Sequence, residues 1–339
     1  MLLGGPLDEC DLAEVQRLAA DSPIGVTSLP DDRERLREKI AVSESSFAAE
    51  VSFSGEERYF FVLEEPGSGR LLGCSGIVAS AGYSEAFYSF RNETFVHASR
   101  ELKIHNKIHV LSICHDLTGS SLLSSFYIEP TLAHTPWAEL ISRGRLLFMA
   151  SHSERFADAV VVEVLGPSDD RGDSPFWDAV GRHFFDMSYA AAERLSSLRS
   201  RTFLAELMPH YPIYVPLLPD AAQEAMGQVH PRAQISFDIM TREGFETEHY
   251  IDIFDGGPIL HARTVGVRSI ARSAVAPVAI GAGERAAGRT YLLSNGGLQD
   301  FRASLVELDW TPGQPLTLSA ETAAALGVGE GDSLRLVAL

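Results

Sequence analysis

The sequence predicts an α/β (α+β) protein in which helices flank a mixed central sheet, followed by a smaller α+β C-terminal domain. Two observations favour this class. Helical spacing near the N-terminus gives way to β-rich segments separated by turns, and strands then alternate with helices. A chain of 339 residues with 45% hydrophobic residues is long enough for two cores, and a proline-rich run precedes residue 219. We therefore predict domains at residues 1–218 and 219–339, with a shared cleft between them.

The individual elements follow from periodicity, caps and turn residues. Asp8 or Asp11 is placed to cap the first helix, and Pro136 suits the first position of a later helix, where the N–H has no helical partner. Helices are predicted at residues 12–20, 31–48, 137–151, 175–185, 222–229 and 232–243. Strands are predicted at residues 59–64, 71–79, 108–113, 122–128, 159–165 and 250–254, and the chain ends as helix, glycine turn and strand.

Charge and composition limit the function classes. The formal net charge is -18, which disfavours long nucleic acids because these bind through many phosphate contacts. The longest apolar runs are far shorter than the roughly 20 residues of a membrane span. Three cysteines lack any CxxC pair, and residues 1–6 lack the basic and apolar regions of an export signal. We expect a reduced, cytoplasmic protein that does not contact a membrane.

Seven segments occur in the order and spacing of a known family. They read VTSLP (residues 26–30), VHASRELKIHN (96–106), CHDLTGSS (114–121), SPFWDAVGRHFF (174–185), AELMPHYPIYV (205–215), GQVHP (227–231) and YIDIFDGGP (250–258). Together they resemble the arginine N-succinyltransferase family, across nearly the whole chain. The resemblance implies a GNAT-like acyltransferase fold and transfer of an acyl group from a thioester to the amine of arginine or a similar small molecule. Family members tend to assemble, so a homodimer is expected as well.

The resemblance also implies roles for two residues. His230, in GQVHP, matches the family's proton donor, and an imidazole can relay protons near neutral pH. On the residue alone, a histidine that caps the following helix is the favoured interpretation, and the surrounding family motif makes the two interpretations equally good. Phe126 matches the family position beside the acyl-CoA, where a bulged strand would offer a main-chain N–H to the thioester carbonyl.

The segment that should bind the coenzyme A pyrophosphate departs from the family pattern. The family carries an arginine and a Gly-Asn-Gly there, whereas this chain has Ala133 and then Pro136, Trp137 and Ala138. Pro136 has no N–H to offer, Trp137 is bulky where the phosphates approach, and Glu139 adds a negative charge. Trp137 and Ala138 thus remain the candidate donor-binding residues, on a segment that reads as an ordinary capped helix start.

Three explanations stay open. In the first, the protein uses an acyl-CoA that it holds by the adenine and pantetheine parts. In the second, it takes the acyl group from an acyl carrier protein or an aminoacyl-tRNA. In the third, it is a non-catalytic relative. In the second case Trp137 would stack on a base.

The acceptor site is predicted only from further resembling stretches. An amino acid needs a cation for its carboxylate and an acid for its cationic end, and Arg91, Ser99 and Glu101 are the candidates. We predict no metal site, because the neighbouring histidines at positions 105, 109 and 115 have only one carboxylate at ligand spacing.

Overall fold

A computed structural model of the protein describes residues 1–23, 26, 28–169, 171–198, 202–281 and 288–339. Within them, fifteen strands form one mixed sheet with helices on its faces, so the predicted fold class is confirmed. The helices are α1 (Leu12–Asp21), α2 (Arg33–Ala48), α3 (Pro136–Ser151), α4 (Pro175–Ala179), α5 (Arg182–Phe185), α6 (Tyr189–Leu198), α7 (Thr202–Leu207), α8 (Asp220–Ala225), α9 (Gln234–Arg242), α10 (Arg268–Ala271) and α11 (Ala320–Ala325).

The strands are β1 (Leu2–Gly5), β2 (Arg58–Glu64), β3 (Leu71–Val78), β4 (Ser89–Ser99), β5 (Ile104–Cys114), β6 (Ser121–Ile128), β7 (Ala159–Glu163), β8 (Ile213–Tyr214), β9 (Glu246–Ile251), β10 (Pro258–Arg263), β11 (Ala274–Ile280), β12 (Arg289–Ser294), β13 (Phe301–Leu308), β14 (Leu316–Leu318) and β15 (Ser333–Ala338). Their order across the sheet is β14-β11-β15-β12-β13-β1-β2-β3-β6-β7-β10-β9-β4-β5-β8. The β6–β7 and β11–β14 pairs are parallel, and the other described pairs are antiparallel.

Helices α1 and α2 cover one face of the central strands, and α3 covers the other. Phe60 and Tyr127 pack with the apolar side of α1 and α2, whereas Phe61 and Ile128 pack with α3. This alternation is the period of two that a strand buried on both faces must show. The sheet is therefore held between two apolar layers, and the strands β3, β6 and β7 lie at its centre.

The predicted boundary after residue 218 does not coincide with a break in the sheet. Strand β10 pairs with β7, and β9 pairs with β4, so two strands from beyond residue 219 lie between strands from before it. The division at residues 218 and 219 stays a prediction.

Several elements differ from the sequence-based expectation: the strand predicted at residues 250–254 ends at Ile251 and gives way to a turn, and α6 and α7 were not predicted. Strand β4 was not predicted, because its outer half is exposed on both faces and carries no hydrophobic alternation. The short strand β1, which pairs with both β2 and β13, was also missed. The predicted helix at residues 175–185 is broken into α4 and α5, and α5 ends at Asp186, whose φ of 49° is left-handed. None of the described helices is long and apolar enough to cross a membrane.

Candidate active site

A cavity of about 1050 Å³ lies where β6 and β7 separate. The two strands pair in parallel from Ser121 and Val160 to Leu123 and Val162, and no further pairing follows. Beyond that point the cavity is lined by residues 124–128 on one side and 162–165 on the other. Two parallel strands that diverge leave main-chain groups without ladder partners, and these can bind a polar ligand.

A bulge in β6 shapes this wall. The register of β6 against β3 shifts between Cys74 and Gly76, opposite Ser125. Ser125 has a φ of 54°, in the left-handed region that non-glycine residues rarely occupy. Its N–H donates to Ser28 Oγ at 3.0 Å, and its hydroxyl donates to the Ser28 carbonyl at 3.2 Å. The loop between α1 and α2 therefore holds the strained residue in place, as is typical of functional sites.

Phe126 follows directly after Ser125 and lines the cavity. Its partly buried ring packs against the core beneath α3, and the Arg145 guanidinium lies 6.0 Å from the ring centroid. The side chain is thus a core aromatic, while the main chain belongs to the bulged wall. The main-chain role that the resemblance implies is compatible with this position and stays a proposal.

Two cations border the bulge. Lys39, on α2, donates to Ser125 Oγ at 3.0 Å and lies 4.7 Å from the centre of the Phe60 ring. Arg145, on α3, is fully buried and donates to the carbonyls of Gly76 and Ser124. Burial lowers the pKa of Lys39 to about 8 and that of Arg145 to about 9. Both charges are costly to keep in this environment.

His230 is anchored to the wall formed by β7. Its N–H donates to the Leu165 carbonyl at 2.8 Å, and Leu165, Pro231 and Arg232 line the cavity. Its Nδ1 accepts the Arg232 N–H at 3.1 Å, so the ring does cap the short 3-10 helix Pro231–Ala233. Because Nδ1 is an acceptor, a neutral ring carries its proton on Nε2. The cap thereby selects a tautomer that can donate a proton.

The predicted donor loop is internally hydrogen-bonded. Trp137 is partly buried against the core, and its N–H bonds the Thr135 hydroxyl at 3.4 Å. Ala138 is 1% exposed, and its N–H bonds the Thr135 carbonyl. Neither residue lines the cavity. Their role in donor binding stays a prediction that this geometry does not favour.

The negative charge of Glu139 is largely compensated. Its carboxylate pairs with Arg242 and lies 3.6 Å from Arg143. The repulsion of a pyrophosphate expected from Glu139 is therefore weaker than the sequence suggested. The lack of free N–H groups in the loop is therefore a stronger departure from the family's pyrophosphate site than the charge of Glu139 is.

The three acceptor candidates lie elsewhere. Arg91 forms ion pairs with Glu93 on β4 (3.2 Å) and with Asp116 in the turn after β5 (2.7 Å), and Ser99 and Glu101 are at the tip of the hairpin that β4 and β5 form. The structure does not bring them to the cavity. Their contact with the acceptor stays a prediction.

Comparison with known proteins identifies the family. The model of the arginine N-succinyltransferase beta subunit matches residues 5–269, and the model of its C-terminal domain matches residues 274–338. The chain belongs to the arginine N-succinyltransferase family. It is 72% identical to the arginine N-succinyltransferase subunit alpha of Pseudomonas aeruginosa over 339 residues, with 100% of both chains covered. It is 36% identical to the arginine N-succinyltransferase of Yersinia pseudotuberculosis, with 98% of this chain and 97% of that one covered.

A solved structure agrees with this assignment. The arginine/ornithine succinyltransferase subunit AI from Pseudomonas aeruginosa superposes with a TM-score of 0.92 at 70% identity, covering 100% of this chain and 98% of that one. Membership of the arginine N-succinyltransferase family makes the protein an acyltransferase, and the resemblance seen in the sequence is confirmed.

Sequence reasoning missed Lys39, Ser125 and Arg145. A signal was present for the two cations. Lys39 stands one turn after Leu36 and one before Ser43, on the buried stripe of α2, and Arg145 lies on α3 among residues that are nearly all buried. A charge at a core position of an amphipathic helix indicates a function or a partner. Ser125 has no comparable signal, because a left-handed serine cannot be read from a sequence.

Among the described residues of this arginine N-succinyltransferase homologue, no group of three or more histidine, cysteine, aspartate or glutamate side chains could hold a metal ion.

The buried charge of Lys39 should be destabilising. We expect Lys39→Met to stabilise the fold at pH 7 by about 1–2 kcal/mol. This is less than the full free energy that corresponds to the lowered pKa, because the side chain is partly exposed and solvent screens its charge. The unfolded lysine binds its proton up to pH 10.5, the folded one only up to about 8. The free energy of unfolding of the wild type should therefore rise between these pH values, and that of the variant should lack this increment. Denaturant titrations from pH 7 to 10.5 measure both effects; a variant less stable at pH 7 would contradict the prediction.

Proposed function

We propose that the protein transfers a succinyl group from succinyl-CoA to the α-amine of arginine or a closely similar basic amino acid. The observation that carries the proposal is the cavity at the separated strands, which joins a bulged wall at Ser125 and Phe126 to the anchor point of His230. Family relatives named arginine N-succinyltransferase and arginine/ornithine succinyltransferase support the same choice of donor and acceptor.

The reaction requires the protein to supply three functional groups. As the neutral amine attacks the thioester carbonyl, a base must accept the proton that its nitrogen loses, the main-chain N–H of Phe126 at the bulge stabilises the oxyanion, and an acid protonates the leaving thiolate. His230 supplies the acid, because its neutral tautomer carries the proton on Nε2. No bond between the acyl group and the enzyme is formed, since the amine attacks directly.

The charges around the cavity suit a zwitterionic acceptor with a cationic side chain. Carboxylates and cations line it in equal number among the described residues. A guanidinium or ammonium would pair with an acid, and an α-carboxylate with a base. The acids are Glu38, Glu56, Glu85, Glu163 and Asp238, and the bases are Arg35, Lys39, Arg58, Arg145 and Arg232.

A second candidate differs only in the donor. Prolines at positions 130 and 136 and the internal bonds of the loop between them leave few N–H groups for a pyrophosphate. This observation favours a donor held by another carrier, such as an acyl carrier protein or an aminoacyl-tRNA, or a donor site completed by a partner chain. The Pseudomonas aeruginosa relative is named subunit alpha, which supports a multi-chain enzyme here as well.

The purified protein should first be incubated with succinyl-CoA and arginine. Formation of succinylarginine, followed by mass spectrometry, together with stoichiometric release of free thiol, supports the proposal. Calorimetry with coenzyme A then separates the donors. Absence of product and of binding at millimolar succinyl-CoA would overturn the CoA proposal and leave the carrier-bound donors, and light scattering of the same sample reports the number of chains.

One substitution tests the donor loop directly. Pro136→Gly restores an N–H at the start of α3, and we expect it to tighten coenzyme A binding roughly three- to tenfold, the effect of one ordinary hydrogen bond at a solvent-exposed position. Calorimetry measures the change, and the melting temperature controls for loss of the helix start. Equal affinity of both proteins would show that the phosphates do not approach this turn.

A further inference from the structure

We propose that Lys39, with Arg145 as a second positive charge, forms a subsite in the cavity for the free carboxylate of a dicarboxylic acyl group such as succinyl. The inference rests on the proposed function and assigns the acyl specificity of that reaction to named side chains. A donor with a neutral acyl group, such as butyryl, would leave this subsite without its anion.

The contacts of Lys39 leave room for an anion. An ammonium has three N–H donors, and the described residues provide one oxygen acceptor, Ser125 Oγ at 3.0 Å, besides the face of the Phe60 ring. The ionisable groups that act on Lys39 are the buried Cys74 thiol and the Arg58 guanidinium, and no carboxylate of the described chain pairs with it. A carboxylate would complete its coordination with a charge-assisted hydrogen bond.

Arg145 is also uncompensated. Its Nε donates to the Ser142 carbonyl and its Nη1 to Gly76 and Ser124, while Nη2 is buried without a hydrogen-bond partner. All three partners are neutral carbonyls, and no described carboxylate forms an ion pair with this fully buried guanidinium. Buried arginines are ordinarily paired with an acid. Two unneutralised positive charges thus flank the residues Ser124 and Ser125.

No carboxylate of the described residues acts on the charge of Lys39 or Arg145. Two of the acids that line the cavity are engaged elsewhere: Glu38 pairs with Arg35 at 2.8 Å, and Asp238 accepts from Gln234 at 2.8 Å. The positive potential beside Ser125 is therefore available to an anionic ligand that enters the cavity.

The length of a succinyl group fits the spacing along β6. Its two carboxyl carbons are about 4 Å apart, because three C–C bonds of about 1.5 Å join them. Consecutive residues of a chain are about 3.8 Å apart. A thioester carbonyl at the Phe126 N–H consequently places the far carboxylate one residue away, beside Ser125 and the Lys39 ammonium.

The test compares two donors of equal length. We expect Lys39→Met to lower the ratio of kcat/KM for succinyl-CoA to that for butyryl-CoA roughly 10- to 100-fold, the effect of one charge-assisted hydrogen bond. Lys39→Arg should recover part of the ratio, because it retains the charge. Arg35→Met is the matched control: it lies one turn earlier on α2 at the same cavity, but its charge is already paired with Glu38, so the ratio should change less than twofold.

Failure of the inference can be distinguished from failure of the proposed function. If the wild type succinylates arginine and Lys39→Met lowers turnover equally with both donors, Lys39 acts on the amine or the fold and the subsite is refuted. An unchanged ratio refutes it too. If the wild type transfers no acyl group at all, the proposed function fails, and binding of the succinyl and butyryl thioesters of N-acetylcysteamine by calorimetry still decides. If the wild type binds the succinyl thioester more tightly than the butyryl thioester and Lys39→Met does not, the subsite is supported. If the wild type binds the two thioesters equally, the subsite is overturned.

Discussion

Replacement of His230 by alanine should lower turnover roughly 10²- to 10⁴-fold with little change in the melting temperature, because general acid catalysis contributes about that factor. His230 is fixed by two contacts, its N–H to Leu165 and its Nδ1 to the Arg232 N–H. The first is a main-chain bond that survives the substitution. Steady-state rates with succinyl-CoA and arginine, compared with thermal unfolding, measure the effect.

The capping role of His230 requires its own control. His230→Asn retains a side-chain oxygen that can accept the Arg232 N–H, and asparagine is a good N-cap, but it cannot deliver a proton. We expect this variant to be as inactive as His230→Ala. Recovery of activity in His230→Asn would show that the histidine acts only as a cap. His134→Ala, at a histidine that lines the cavity itself, should retain most of the activity.

The largest effect on stability is expected at the buried ion pair between α3 and the segment after α9. Arg143 Nε donates to Glu243 Oε1 at 2.6 Å, and Glu243, fully buried, also accepts from the N–H and hydroxyl of Ser269. In Glu243→Ala the Arg143 guanidinium stays buried, and the partly exposed Glu139 is the carboxylate that remains to pair with it. We expect a loss of about 3–5 kcal/mol in the free energy of unfolding, measured by urea titration.

Removing both charges is the informative comparison. In Arg143→Met/Glu243→Leu no buried charge is left unpaired, and apolar pairs of similar volume often replace buried ion pairs without loss. The double variant should therefore regain most of the stability lost in Glu243→Ala. Equal destabilisation of both proteins would show that the Ser269 contacts, rather than the charge of Arg143, require Glu243.

Much of the fold could be predicted because its elements carry local signals. Thr135 and Pro136 mark the start of α3, and the helix begins there. Strand β6 was predicted to within one residue from its apolar pattern. Strand β4 could not be found this way, because its outer half is exposed on both faces and pairs with β5 through main-chain bonds that any sequence can make.

Site residues could be proposed from the sequence where a side chain matched a motif, and they were missed where three-dimensional geometry decides. His230 could be proposed from GQVHP, but its tautomer depends on a main-chain N–H two residues later. Arg91 looked like an acceptor contact, yet its partners are Glu93 and Asp116 on its own hairpin. The convergence of Lys39 and Arg145 on one bulge depends on three-dimensional packing between elements more than 100 residues apart, which periodicity does not report.

The insertion of β9 and β10 between β7 and β4 affects the order in which the chain can fold. Until residues 246–263 have been synthesised, β7 lacks its antiparallel neighbour β10, and the β4–β5 hairpin can pair only with the short strand β8 at its outer edge. Contacts of such long sequence separation slow folding, and exposed strand edges invite misassociation. A nascent chain that stops at residue 218 would expose both edges, so the central sheet can close only after β9 and β10 have been synthesised.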